Sequence, residues 1–324
     1  MRTRKWALLL AVFVLTAAPL FAGQRVKTIR VGHIVTTEGA FHLALTEMDK
    51  ELDKLSDGKI RLKIYPNGQL GMLIELIESV QSGNLDMAVA ASAFIANFAP
   101  DLTVFDLPFL LDDYEQVDKL LDGEIGVGLL DKLGESNIKG LGWFEVGFRS
   151  LAITTKKINS VEDMEGLRLR TMSNKLHQEL FRALGCDPVP MDWGDAFTAL
   201  QQRAIDGSEN SLSVMYDNKT YEVSKNGAIT NHVYTPAGLI MSMDKWNSFT
   251  PEEQEIIVKA AAVAARFARD ENRRQEEVAM ENLTKVGMTF TYPEIEPFRK
   301  KAMAVYDMHP ELKDVVAKVR EQVK

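Results

Sequence analysis

The sequence predicts an α/β fold arranged as two lobes, and three observations lead there. From Thr28 onward, short apolar segments of period two alternate with helical segments, the grammar of βαβ units and a largely parallel sheet. Two longer extended segments, 138–155 and 228–243, are rich in β-branched, aromatic and Gly residues and are long enough to run from one lobe into another. Glu252 to about Val286 contains neither Pro nor Gly, which allows roughly 50 Å of unbroken helix, more than one lobe needs. With about 300 residues after a leader, the chain also exceeds the size at which a single core keeps growing.

In order, Thr28–Ile34 alternates as a strand, and Phe41–Leu55 carries Leu45, Met48, Leu52 and Leu55 at helical spacing before Asp57-Gly58. Ile60–Tyr65 alternates again and stops at Pro66-Asn67-Gly68. A helix through Leu73, Leu76, Ile77 and Val80 precedes the apolar run Leu85–Ala90, which suits a buried parallel strand. The grammar then returns: Leu167–Thr171 as strand, Lys175–Leu184 as helix, Asp187–Met191 extended, and a helix from Ala196 that ends at the turn Asp206-Gly207-Ser208-Glu209-Asn210. After the long helix, Met288–Tyr292 reads as a strand and Glu294–Lys324 as two closing helices around Pro310.

The N-terminus reads as an export signal. Arg2, Arg4 and Lys5 precede an apolar stretch, Trp6 to Ala18, and Leu20-Phe21-Ala22 offers a small residue for cleavage after position 22. The competing reading is an uncleaved anchor. Cleavage removes three of the 38 basic residues and no acid, which leaves 35 against 46 and a formal charge of −11. An acidic body of this kind is a poor partner for nucleic acid or an anionic membrane surface. The lone Cys186 rules out an intramolecular disulfide.

An acidic protein that holds an anion must place its cations locally, so internal arginines matter. Arg168 and Arg170 share one face of an alternating strand, and a guanidinium offers a planar fork that fits a carboxylate. Arg149 is a lone charge in an apolar strand and needs a partner, which a salt bridge or a ligand would supply. Trp193 opens a helix after Asp192 and competes with a plain core role. Asn210 could donate an amide N–H, although Asn near Gly is also turn chemistry. Ser92 follows a strand's carboxyl end, where open α/β sheets place ligands. Asp206 and Glu209 read as turn and cap groups. Enzyme signatures are missing: the five histidines show no metal-ligand spacing, and there is no nucleophile elbow, phosphate-cradling loop or dinucleotide fingerprint. No cofactor or metal site is expected.

Taken together and in order, certain stretches make the chain resemble the solute-binding subunits of TRAP (tripartite ATP-independent periplasmic) transporters, the DctP-like family. They are Tyr65-Pro66-Asn67-Gly68-Gln69-Leu70-Gly71, Asp106-Leu107-Pro108-Phe109, Gly147-Phe148-Arg149, Gly166-Leu167-Arg168-Leu169-Arg170, Ala199-Leu200-Gln201 with Asp206–Asn210, and Thr230-Asn231-His232. The resemblance implies a two-lobed periplasmic binding protein of type II-like form, with mixed sheets flanked by helices, hinge strands, a long helix spanning both lobes and no enzymatic activity. Its expected divisions are a signal peptide over 1–22, lobe I over 23–146 plus 235–274, and lobe II over 147–234 plus 275–324. It implies a periplasmic monomer that captures a small organic acid and passes it to membrane permease subunits. Arg170 matches the family's carboxylate-gripping arginine, Arg149 a second arginine near the ligand, Asn210 a ligand-contacting Asn and Trp193 a pocket aromatic, while Asp106–Phe109 looks structural. The sialic acid-binding branch carries a Glu and an Arg where this chain has Ala91 and Phe94, so a smaller or more apolar acid is expected, with Phe94 covering its body. The alternatives are a binding protein of another transporter or receptor class, and a binder of neutral or lipid-like ligands.

Overall fold

The computed structural model describes residues 26–324, so the leader read over residues 1–22 lies outside the described residues. The chain begins with β1 (Lys27–Gly32), α1 (Ala40–Leu55), β2 (Ile60–Tyr65), α2 (Leu73–Gln81), β3 (Met87–Ala91) and the short α3 (Ser92–Ile95). Helices α4 (Tyr114–Asp122) and α5 (Glu124–Lys132) lead into the 16-residue strand β4 (Ile138–Ile153). The second half adds β5 (Arg168–Thr171), α6 (Lys175–Ala183), β6 (Asp187–Pro190), α7 (Trp193–Gln201), β7 (Gly207–Asn210) and α8 (Leu212–Asp217). Then come the 17-residue β8 (Asn226–Ser242), α9 (Met243–Asn247), the 35-residue α10 (Pro251–Lys285), β9 (Thr289–Thr291), α11 (Ile295–Met308) and α12 (Lys313–Gln322).

The strands form one continuous nine-stranded sheet in the order β2-β1-β3-β8-β4-β7-β5-β6, with β9 beside β8. The sheet is mixed rather than largely parallel. The βαβ units at its two ends are parallel, but β8 meets β3 antiparallel, and β4 meets both β7 and β8 antiparallel. The reason is that β4 and β8 serve both halves: Ile138–Glu145 pairs with Pro236–Ser242 in one half, and Gly147–Ile153 with Asn226–Thr235 in the other. A register shift between Glu145 and Gly147 separates the two stretches. Gly147 has φ +103, a conformation that a side-chain-bearing residue resists, so the bulge is built on the one residue type that accepts it.

The long helix is held by both halves. Its N-terminal part presents a small-residue stripe, Ala260, Ala261, Ala264, Ala265 and Ala268, at three- and four-residue spacing into the core around Phe144 and Leu239. A Cβ on Gly142 of β4 would lie 3.1 Å from the Ala265 Cβ, which shows how close helix and strand come. Further along, Arg269 and Arg273 pair with Asp118, Asp122 and Glu145, and Glu276 accepts the Leu212 and Ser213 amides at the start of α8. Ala279 and Leu283 then pack with Leu212 and Met215. The last helix turns back: Gln322 of α12 bonds the backbone of Lys119 and Ile125 on α4 and α5.

Because Ala264 is fully buried against the sheet, Ala264→Leu should overpack this contact and lower stability by about 1–3 kcal/mol, measured by urea unfolding.

Candidate functional site

A cavity of about 60 Å³ lies where the two halves of the sheet meet. One wall comes from the first half: Ile34 and Val35 after β1, Phe41 of α1, Leu73 of α2, Ala91 and Phe94 around the end of β3, and Val146 at the β4 bulge. The other comes from the second half: Arg149 on β4, Arg170 and Met172 at β5, Trp193 opening α7, Asn210 ending β7, and Val214 and Asn218 of α8 and its C-cap. The first wall is entirely apolar, and every polar side chain stands on the second.

The cavity therefore brings together Arg149, Arg170, Asn210, Trp193 and Phe94, five of the six residues that the sequence singled out as candidates. Ser92 is not among the lining residues; it is fully buried in the first turn of α3, and its hydroxyl finds no protein partner. The strand-end rule led to the right loop, but the chain turns into α3 so that its neighbours Ala91 and Phe94 face the cavity instead. The wall residues Ile34, Val35, Phe41, Met172 and Val214 carried no sequence signal, being apolar residues of loops and helix starts.

Arg149 is 1% exposed, and most of its donors are spent within the protein. Nε and Nη2 donate to the Glu209 carboxylate, Nη2 also reaches Glu209 O at 2.9 Å, and Nη1 reaches Asn210 Oδ1 at 3.3 Å. This corrects the reading of Asp206–Asn210 as a turn. Gly207–Asn210 is strand β7, buried throughout, and its register sets Glu209 opposite Leu151 and Asn210 opposite Ser150. Asp206 pairs with Arg168 at the exposed end of β5, at 2.8 Å. Glu209 is fully buried, yet its carboxyl is held well below the ordinary range: desolvation alone would raise it, but the Arg149 charge and the hydrogen bonds from His232 and Arg149 outweigh that cost. His232 is pulled down by burial and stays neutral at pH 7, so its Nε2–H donates to Glu209 at 3.3 Å while Nδ1 accepts from the Thr230 hydroxyl at 2.8 Å.

Arg170 differs from Arg149. It is equally buried, and its Nε and Nη2 donate to Met191 O at 3.0 and 2.8 Å. Its Nη1 lies 3.9 Å from Glu209, too far for a hydrogen bond, and has no other acceptor among the described residues. Burial pulls the guanidinium down to about 10, still far above neutrality, so the charge remains. The Trp193 ring lies 5.1 Å from its Cζ in a cation–π contact, and the indole N–H is buried without a partner. Asn210 Oδ1 accepts from Ser211 N and Arg149, while its Nδ2 has no partner among the described residues. The Asp106–Phe109 motif is structural: Asp106 accepts from Asn174, which also bonds Ala93 O and so ties β5–α6 to α3.

The family of bacterial extracellular solute-binding proteins, family 7 (DctP), matches residues 31–311, and the chain belongs to it. It is thus a TRAP-type solute-binding protein of two-lobed fold rather than an enzyme. Among similar solved structures, the sugar acid-binding protein of Advenella mimigardefordensis in complex with galactonate is 32% identical, with a TM-score of 0.88 over 92% of this chain and 98% of that one. A TRAP periplasmic solute-binding protein of Bordetella bronchispeptica, its density assigned to pantoate, is 31% identical with a TM-score of 0.89 over 91% and 99%. The 2,3-diketo-L-gulonate-binding periplasmic protein YiaO of Escherichia coli is 26% identical over 89% of this chain and 87% of its own. No helix among the described residues is long and apolar enough to cross a membrane.

Two outcomes follow from the electrostatics. Glu209→Ala should cost about 3–5 kcal/mol in chemical unfolding, because it strands the Arg149 charge in a dry site. Asp217, at the edge of the cleft, is pushed up to about 6 by burial and by Glu38. A raised carboxyl binds its proton more tightly folded than unfolded, so its contribution worsens as pH rises through that value. Asp217→Asn should therefore melt higher than the parent at about pH 7.5, with the gap closing by about pH 4, read from thermal midpoints across a pH series.

Proposed function

We propose that the chain is exported by cleavage after position 22 and acts as the monomeric extracytoplasmic subunit of a TRAP transporter, capturing a small organic acid in the inter-lobe cleft and handing it to a membrane permease. The observation that carries this reading is Arg170: a buried cation lining the cavity, with Nη1 unused by the protein. Asn210 Nδ2 adds a second open donor beside it, so the pole asks for a group that accepts several charge-assisted hydrogen bonds, which a carboxylate does. Arg149 shapes the pole and fixes Asn210, Trp193 stacks on the Arg170 cation, and Phe94 covers the ligand's body from the facing lobe. Galactonate and pantoate, the acids bound by two similar proteins, share the carboxylate that this pole would grip.

Lobe I is 23–146 plus 235–274 and lobe II is 147–234 plus 275–324, with Gly147 and the register shift beside it as the bending point. Closing joins an anchoring face to a covering face, and the contacts made only when both touch the ligand shift the population toward the closed form. The closed form then presents one continuous surface to the permease.

Native mass spectrometry of the protein as purified, followed by calorimetric titration with small acids, tests the proposal. Arg170→Ala should lose about 2–5 kcal/mol of binding, and Arg170→Lys should also weaken it, since an ammonium cannot replace the fork. Unchanged affinity in Arg170→Ala, or a bound neutral or lipid-like mass, would overturn it.

A further inference from the structure

We infer that the ligand is a monocarboxylate with a 2-oxo group and a short, branched or ring-shaped apolar body, rather than a sugar acid or a dicarboxylate. This rests on the organic-acid reading above and narrows it, from four features of the cavity.

The first is the charge count. The fully buried ionised side chains at the pole are Arg149, Arg170 and Glu209, a surplus of one positive charge that one carboxylate neutralises, while the half-buried Asp192 beside Arg170 already opposes a second anion. A second carboxylate would have to lie farther along the cleft. There an adjoining cavity of about 30 Å³, which shares Val35, Phe41, Val146 and Val214 with the first, is bordered by Glu145 and Asp217 and by no basic side chain. Glu145 is already paired with Arg273, so that end offers a second carboxylate no cation to pair with and sets Asp217 beside it.

The second is the polarity of the open hydrogen-bonding groups. Arg170 Nη1, Asn210 Nδ2 and the Trp193 N–H are donors without protein acceptors. The one oxygen of Asn210 is already taken twice, and the remaining side-chain oxygen of the lining belongs to Asn218, an exposed residue capping α8. A carboxylate with an adjacent keto oxygen offers only acceptors. A 2-hydroxy acid brings a proton with no acceptor to receive it, and a sugar acid brings several, each a buried polar group left unpaired.

The third is the facing wall, where Ile34, Val35, Phe41, Leu73, Phe94 and Val146 offer no side-chain hydrogen-bond partner. It rewards alkyl or aryl surface and gives hydroxyls nothing. The fourth is size. A volume of about 60 Å³ holds roughly four to six waters, which suits a compact branched or planar body rather than an extended polyhydroxylated chain.

The test is calorimetric titration of the purified protein with 3-methyl-2-oxobutanoate, phenylglyoxylate, their 2-hydroxy counterparts, succinate and galactonate, repeated on Arg170→Gln after its unfolding midpoint has been checked. One of the two oxo acids should bind about tenfold or more tightly than its hydroxy counterpart, and about a hundredfold more tightly than succinate or galactonate, with binding lost in Arg170→Gln. Galactonate or succinate binding as well as the oxo acids, and still depending on Arg170, would overturn the oxo-acid inference and leave the organic-acid reading standing. Binding of no acid at all, or binding indifferent to Arg170→Gln, would overturn both. As a second arm, the near-isosteric Val35→Thr places a hydroxyl on the apolar wall and should weaken the preferred oxo acid several-fold. An unchanged constant there would show that this wall does not touch the ligand, and would sink the inference from the apolar side.

Discussion

The site depends on the buried ion pair between Arg149 and Glu209. Two charges withdrawn from water cost more than their attraction returns unless every remaining lone pair and N–H is also satisfied. Here that condition is nearly met: the guanidinium holds the Glu209 carboxylate, the Glu209 carbonyl and Asn210, while neutral His232 donates to the same carboxylate. The pair locks β4 to β7 and sets the rotamer of Asn210, so the residue that ends β7 presents its amide nitrogen to the cavity. Because Glu209 is committed to Arg149, it stands too far from Arg170 to satisfy that second guanidinium. One cation is thus left charged, dry and incompletely bonded, which is costly for an empty protein and useful for one that waits for an anion.

The frame around this pair explains how such an unsatisfied pole can sit between two halves. Strands β4 and β8 are long because each must supply hydrogen bonds to both halves, and of the three shifts in their shared register the one at the Gly147 bulge falls where the two stretches divide. Helix α10 spans the same division. Its Ala stripe allows close approach to one half, while Glu276 and Leu283 engage the elements that follow β7 in the other. Arg273 sits at the crossing, joining Asp118 to Glu145, which also accepts from Tyr234. On the proposed reading, a frame braced this way bends at the bulge without exposing either core.

The large elements were legible in the sequence because they depend on local pattern. The extended segments read as 138–155 and 228–243 are β4 and β8 to within two residues at each end, and the helix read from Glu252 to about Val286 is α10 to within one. The lining position of Arg170 was legible because an alternating strand with leucines on one face leaves its arginines on the other. The role of Glu209 was not. Gly-Ser-Glu-Asn has poor strand propensity, and only burial between β4 and β5 makes it a strand. Its partner lies 60 residues away and is set by the register of two strands that no local window contains. The apolar wall was hidden for a similar reason. Ile34 closes the segment that reads as a strand and Phe41 opens the one that reads as a helix, so neither pattern points to a site, and only the fold brings them and Val35 opposite Arg170.

That opposition divides the work of recognition. On the proposed reading, the anchoring face supplies charge and orientation and, because its open groups are donors, favours ligand acceptors over hydroxyls. The facing wall makes no polar contact, so it adds nothing to capture in the open form, and its contribution appears only on closure, when apolar surface leaves water on both sides at about 25 cal/mol per Å². A ligand that fills the wall drives closure. A ligand whose hydroxyls must be stripped of water against it opposes closure even while its carboxylate is held. On the proposed reading, selection falls on the closing step as well as on the first encounter, so an acidic protein would catch anions at one cation and still retain few of them.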